Sequence, residues 1–249
     1  MNFSAGCYLA LDKPYRQTSF QTVRLVRGML QRRLGQRLKV GHAGTLDPLA
    51  TGVLVICTGR ATRTIETLQA HSKEYVAELR LGATTPSFDL EHDIDATFPT
   101  AHITPAMVEE ALSRLTGDVM QVPPSFSACH TDGKRAYELA RKGKEVLLEA
   151  KPIRIDEIEI LDLRLPDYLK IRVACGKGTY IRALARDIGL ALGSGAHLLS
   201  LRRTRTGIVT EADCWQLPQF EAWLATQTLE KTLPEGPAPK TYPFLKPNS

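Results

Sequence analysis

The spacing of apolar and polar positions changes character several times along the chain and predicts short strands and helices in irregular order. Residues 7–11 are apolar and run into Asp12-Lys13-Pro14, a strand stopped by proline. Thr18 or Ser19 can then cap a helix in which Phe20, Val23, Val26 and Leu30 share one face. Residues 53–57 are branched and apolar, as in a buried strand, and residues 61–68 can follow as a helix. Tyr75, Ala77, Leu79 and Leu81 alternate with Val76, Glu78 and Arg80, the pattern of a strand with one buried face. Residues 82–100 read as a loop whose Asp89, Glu91, Asp93 and Asp95 form a solvated acidic stretch. They lack the glycine and terminal glutamate of a calcium-binding loop.

Thr104-Pro105 starts another helix, with Val108, Ala111, Leu112 and Leu115 inward and Gly117 as its stop. Pro123-Pro124 breaks the chain, and residues 135–142 suggest a short helix closed by Gly143. Residues 153–161 and 168–175 read as strands, the second with Leu169, Ile171, Val173 and Cys175 on one side. Gly176-Lys177-Gly178-Thr179 is a turn into a helix with Ile181, Leu184, Ala185 and Ile188 inward, ending near Gly193. A further strand spans residues 197–209, and the Pro- and Gly-rich residues 235–239 predict a poorly ordered tail. Strands and helices do not alternate regularly, so the expected class is α+β with a layered sheet, not a parallel doubly wound fold.

Composition narrows the function class. With 249 residues, 43% hydrophobic and 24% charged, the chain fits one large globular domain or two small ones. Its 32 Lys and Arg against 27 Asp and Glu leave a net charge of +5, which suits a polyanionic partner without requiring one. The basic residues concentrate at positions 24–39, 134–144 and 202–205, as solvated faces or as phosphate contacts. Five cysteines with no paired spacing point to a reducing compartment and give neither a disulfide framework nor a zinc site. No signal-like or membrane-spanning stretch is visible, so a cytoplasmic protein with no membrane partner is expected.

The chemistry concentrates in Lys39-Val-Gly-His-Ala-Gly-Thr-Leu-Asp-Pro-Leu-Ala-Thr-Gly52, a shaped loop followed by an apolar strand. Gly41, Gly44 and Gly52 permit tight turns or close approach, and Pro48 fixes the backbone directly after Asp47. An Asp-Pro pair also serves simply to turn a chain, so a purely structural Asp47 stays open on these grounds. The loop lacks the Gly-Lys-Ser/Thr spacing of a phosphate-binding loop.

Five segments in register resemble the motifs of the TruB family of tRNA pseudouridine synthases. They are Leu11-Asp12-Lys13-Pro14, Gly41-His42-Ala43-Gly44-Thr45-Leu46-Asp47-Pro48 with Ala50-Thr51-Gly52, Lys73-Glu74-Tyr75, Gly176-Lys177-Gly178-Thr179-Tyr180-Ile181-Arg182, and Leu201-Arg202-Arg203. The resemblance covers residues 7–209. It implies a pseudouridine synthase fold, a mixed and mainly antiparallel sheet flanked by helices, with a catalytic domain over residues 1–210. Residues 211–249 would be an extension and flexible tail, too short for a separate C-terminal RNA-binding domain.

The implied reaction turns uridine into pseudouridine at position 55 in the TΨC arm of tRNA, with the target base flipped out of its stack. Asp47 matches the catalytic aspartate, and Arg182 the charge partner that a carboxylate in an apolar pocket requires. Tyr75 matches the tyrosine that stacks on the base and helps remove the carbon 5 proton. Tyr180 and Leu201 match residues lining the pocket, His42 one that touches the RNA, and Lys13 with Pro14 shape the wall. No cofactor or metal is implied, since the isomerisation involves no net oxidation, hydrolysis or group donor, and a monomer is expected. The loop at Asp89 departs from the family pattern through Pro86 and Phe88, so no role passes to Asp89. Two other classes compete: an RNA-binding chaperone of tRNA folding with a secondary pocket, and an RNA glycosidase, which normally needs two carboxylates.

Overall fold

A computed structural model of the chain describes residues 1–124, 130–131, 134–135, 148–231, 239 and 241–247. The elements, in chain order, are β1 (Tyr8–Lys13), α1 (Ser19–Leu34), β2 (Val40–His42), β3 (Thr51–Thr58), α2 (Ile65–Gln69), β4 (Lys73–Leu81), β5 (Ala83–Thr84) and β6 (Ala96–Thr97). Then come α3 (Pro105–Arg114), β7 (Gly117–Gln121), β8 (His130–Thr131), β9 (Lys134–Arg135), β10 (Lys151–Arg164) and β11 (Tyr168–Cys175). The last are α4 (Ile181–Ala191), β12 (Ala196–Thr206), β13 (Val209–Thr210), β14 (Cys214–Trp215), α5 (Leu217–Thr226) and β15 (Phe244–Leu245). The chain divides into two compact units, residues 1–73 with 202–249, and residues 74–201.

In the first unit β3 is the central strand. It pairs antiparallel with β1 (Leu11 opposite Leu54, Lys13 opposite Gly52) and with β2 (Val40 opposite Thr58), and parallel with the end of β12 (Arg203 opposite Gly52). β1 also pairs in parallel with β14 and β15, so the sheet is mixed. Thr18 caps α1 by accepting from the Gln21 amide, and the Gln21 side chain accepts from the Thr18 amide in return. Gly35, in the left-handed conformation, ends the helix.

Val23, Val26, Leu30 and Leu34 form the inner face of α1, but Phe20 is 62% exposed, against the sequence expectation. Ser19 takes the buried place at that end, because its hydroxyl serves the main chain of Leu46. The helix expected over residues 61–68 is a 3-10 turn followed by the five-residue α2. The segment after residue 210 is built into this unit. Trp215 is buried, donates from Nε1 to Leu245 O at 3.0 Å, and meets Phe220 edge-on at 5.8 Å and Trp223 at 4.9 Å.

In the second unit β4, β11, β10 and β7 follow one another as neighbours. β10 is antiparallel to β11 (Ile160 opposite Ile171) and to β7 (Ile153 opposite Val119). The alternation read from the sequence holds: Tyr75, Ala77, Leu79 and Leu81 are buried on β4, and Leu169, Ile171, Val173 and Cys175 on β11. Thr104 caps α3 through the Met107 amide, with Pro105 in the first turn. α4 buries Ile181, Leu184, Ala185 and Ile188. Helices beside a mixed, mainly antiparallel set of strands make the fold α+β, as expected.

The short helix expected at residues 135–142 lies outside the described residues apart from β9, as does the Pro- and Gly-rich stretch apart from residue 239. Cys7, Cys57, Cys175 and Cys214 are buried thiols. Among the described residues no helix is long and apolar enough to cross a membrane.

Candidate active site

The loop that carries Asp47 leaves β3's neighbour β2 and re-enters β3 itself, so both ends are tied to one strand. Ala43 N donates to Val55 O at 2.9 Å, and Ala50 N closes the Asp47-Pro48 turn onto Asp47 O at 3.1 Å. Between these points the main chain is held by side chains from three remote segments. Ser19 Oγ accepts from Leu46 N at 2.8 Å and donates to Leu46 O at 3.1 Å. Lys13 Nζ, fully buried, donates to Pro48 O at 3.2 Å, to Pro14 O at 2.8 Å and to Gln17 O. Arg203 spans Gly44 O, Thr45 O and Val53 O. A loop with inward carbonyls needs such donors, since an unpaired buried polar group costs about 1–3 kcal/mol.

The local electrostatics follow from this burial. Burial pushes the Lys13 ammonium down to about 8; the Asp47 charge opposes the shift and Arg203 adds to it. Burial likewise lowers the His42 imidazole, with a main-chain contact at Gly44 working the other way. His42 Nδ1 is buried with no hydrogen-bond partner among the described residues. Beside the loop, Asp12 receives both Arg202 Nη1 and Nη2 at 3.0 Å and Gln216 Nε2 at 2.9 Å. Burial alone would raise the Asp12 carboxyl; the bonds from Arg202 and Gln216 outweigh it and hold the group below its ordinary range.

Lys13, His42 and Asp47 thus belong to the first unit, and Tyr75, Tyr180, Arg182 and Leu201 to the second. Tyr75 is buried on β4, and Leu201 is half-buried on β12. Tyr180 precedes α4 and is locked by Gln121: Tyr180 N donates to Gln121 Oε1 at 2.9 Å, and Gln121 Nε2 donates to Tyr180 O at 3.2 Å. Arg182 is not the surface arginine its helix would allow. It is 4% exposed, donates from Nη1 to Ser87 O at 3.2 Å, and places Nε 3.7 Å from Asp89 Oδ2.

Asp89 corrects the reading of a solvated acidic loop. It is buried, and its Oδ1 accepts from Ser87 Oγ at 2.6 Å and Glu91 N at 3.0 Å, while Glu91, Asp93 and Asp95 are exposed. The Ser-x-Asp spacing was a signal for a locally bonded carboxylate, but nothing in the sequence tied it to Arg182.

The basic concentrations divide in the same way. Arg24, Arg32, Arg33, Arg37 and Lys39 are exposed. Arg37 and Lys39 join Arg60 and Arg63 around a cleft of about 220 Å³. In the cluster at 202–205, Arg203 is buried, Arg202 is engaged by Asp12 and Glu211, and half-buried Arg205 donates to Ser72 Oγ and Gly207 O. Side chains of residues 134–144 lie outside the described residues. Among the described residues no group of His, Cys, Asp and Glu could hold a metal ion.

Comparison with known proteins places this arrangement. Residues 31–181 match the TruB family pseudouridylate synthase N-terminal domain, and residues 182–241 match the tRNA pseudouridylate synthase B C-terminal domain. The chain is 60% identical to a tRNA pseudouridine synthase B of Phocaeicola vulgatus over 94% of this chain and 100% of that one. It is 61% identical to the protein of the same name from Bacteroides thetaiotaomicron, over 92% of this chain and 98% of that one. Among solved structures, a Cbf5-Nop10-Gar1 complex matches with a TM-score of 0.65 and 29% identity, covering 89% of this chain and 55% of that one. With the Asp47 loop, the Tyr75 strand and the Arg182 helix start all inside the matched residues, the chain belongs to the TruB family of pseudouridylate synthases.

Proposed function

We propose that the protein isomerises uridine to pseudouridine in tRNA, at position 55 in the TΨC arm, with Asp47 as the nucleophile. The observation that carries the proposal is a carboxylate on a loop whose main chain is fixed on both sides of Asp47, at Leu46 and at Pro48, in a chain of this family. A nucleophile held in this way meets the substrate without first paying to order itself. The named relatives support tRNA as the substrate.

The reaction breaks the bond between ring nitrogen and sugar, turns the base and rejoins it through carbon 5. Asp47 attacks, and Arg182 acts as its charge partner. Tyr75 receives the flipped base and assists loss of the carbon 5 proton. Tyr180 and Leu201 line the pocket, and Lys13 shapes its wall. His42, half-buried at the end of β2, touches the RNA beside the target. The exposed arginines of α1 and the cleft at Arg37, Lys39, Arg60 and Arg63 take backbone phosphates, so binding weakens as salt rises. The protein works as a cytoplasmic monomer without cofactor or metal.

The test is tritium release from unmodified tRNA labelled at carbon 5 of uridine, with chemical mapping of the product. Wild type releases label and leaves pseudouridine at position 55; Asp47→Ala binds the same tRNA and releases none. Binding without release by wild type would sink the proposal and favour an RNA-folding role. Free uracil among the products would point to a glycosidase.

A further inference from the structure

Arg203 is 1% exposed, and no bulkier side chain of the described residues is as fully buried. Its fork donates from Nε to Val53 O at 2.7 Å, from Nη1 to Thr45 O at 3.3 Å and from Nη2 to Gly44 O at 3.2 Å. Burying a guanidinium is costly, and an apolar side chain of similar volume would fill the same space at less cost. What an apolar side chain cannot do is bind three carbonyls in one rigid plane, which the guanidinium does without rotating. Two of those carbonyls belong to consecutive residues of the loop, just before Leu46 and Asp47. The third belongs to β3, the strand the loop re-enters.

The loop is thus fixed at each step around the carboxylate: Gly44 and Thr45 by Arg203, Leu46 by Ser19, and Pro48 by Lys13. Lys13 and Ser19 hold the residues adjacent to Asp47. Of these three side chains Arg203 is the one that joins the approach to the loop with the strand beyond it, and so sets the plane of the peptide that leads into Leu46. Its burial also removes it from any contact with RNA.

We propose that Arg203 is a positioning residue for the reaction: its guanidinium sets the main-chain path into Asp47 and thereby aims the carboxylate. This rests on the proposed function of Asp47. Arg203→Lys keeps the charge and most of the volume but loses the planar fork. Expected is a single-turnover rate of tritium release about 100-fold below wild type at saturating tRNA, the loss typical of a small misplacement, with an unchanged dissociation constant for tRNA. Both are measured well below the melting temperature of the variant. A role in stability alone lowers the melting temperature but leaves the rate per folded molecule as it was, and that result overturns the proposal.

A second measurement needs no substitution. In wild type labelled with ¹⁵N-arginine, a clamped Arg203 gives separate, exchange-protected Nη signals, whereas one averaged signal refutes the clamp even if Arg203→Lys does not fold. Absence of release by wild type would instead refute the reaction assigned to Asp47.

Discussion

Gly52→Ala tests the closest main-chain approach at the candidate site. Gly52 has φ +98°, and a Cβ there would lie 2.2 Å from Arg203 O and 2.9 Å from Arg203 N and C. These are main-chain atoms of the strand paired in parallel with β3, and no rotamer change moves them. Ordinary carbon contacts begin at about 3.5 Å, so the strands would have to part by roughly 1 Å. The left-handed φ adds about 1–2 kcal/mol for any side chain. Parting also stretches the Arg203 bond to Val53 O, and each buried group left unpaired costs about 1–3 kcal/mol.

Together these place the substitution at about 4 kcal/mol or more, in the exceptional class for single changes. For a protein of this size that lowers Tm by roughly 8–16 °C. Scanning calorimetry reads it, with Gly28→Ala as the internal contrast. Gly28 lies within α1 and has no neighbour within 4 Å of a built Cβ, so alanine there should stabilise by about 1 kcal/mol. A Gly52→Ala protein melting within about 2 °C of wild type would show that the two strands do not approach as described.

Two further expectations concern the supports of the loop. Ser19→Ala removes both bonds to Leu46 and leaves its amide buried without a partner, at about 1–3 kcal/mol, and hydrogen exchange at the Leu46 amide should accelerate; unchanged protection there would contradict the pairing. For Lys13, burial sets the folded value near 8, below the 10.5 of an unperturbed lysine. Below pH 8 both states hold the proton and the burial penalty is complete; from about 8 to 10.5 only the unfolded chain holds it, so stability from this group rises with pH. Wild type should therefore gain in Tm relative to Lys13→Met across that window, and a constant difference between the two would refute the shift.

Much of the fold was legible because it depends on local periodicity. The two-residue alternation of β4 and β11 and the Thr-Pro start of α3 need only sequence neighbours to specify them, and they appear as read. Phe20 shows where that reasoning stops. Hydrophobicity favoured it for the inner face of α1, but the inner position is decided by what lies opposite, and a main-chain amide and carbonyl at Leu46 select a hydroxyl. Long-range pairings such as β1 with β14 and β15 leave no local trace either, which is why the segment after residue 210 read as an extension.

The same division runs through the candidate site. The glycines and proline around Asp47 mark a shaped loop because conformational freedom and its loss are properties of single residues. Its supports do not announce themselves: Ser19 read as a helix cap and Arg203 as one of a basic cluster; in the second unit Asp89, the partner of Arg182, read as part of a solvated loop. Each is a polar group whose burial depends on a partner far away in the sequence. Lys13 was the exception available to inspection, since it shares strand parity with Leu9 and Leu11 and so points where they point. A cation at a core-facing strand position must find acceptors, and a glycine-rich loop offers carbonyls that helices and sheets would otherwise satisfy. The pairing of a buried basic residue with a loop of this kind is therefore a physical signature: the loop supplies the oxygens, the cation supplies several donors at once, and the residue between the fixed carbonyls is held where its chemistry is required.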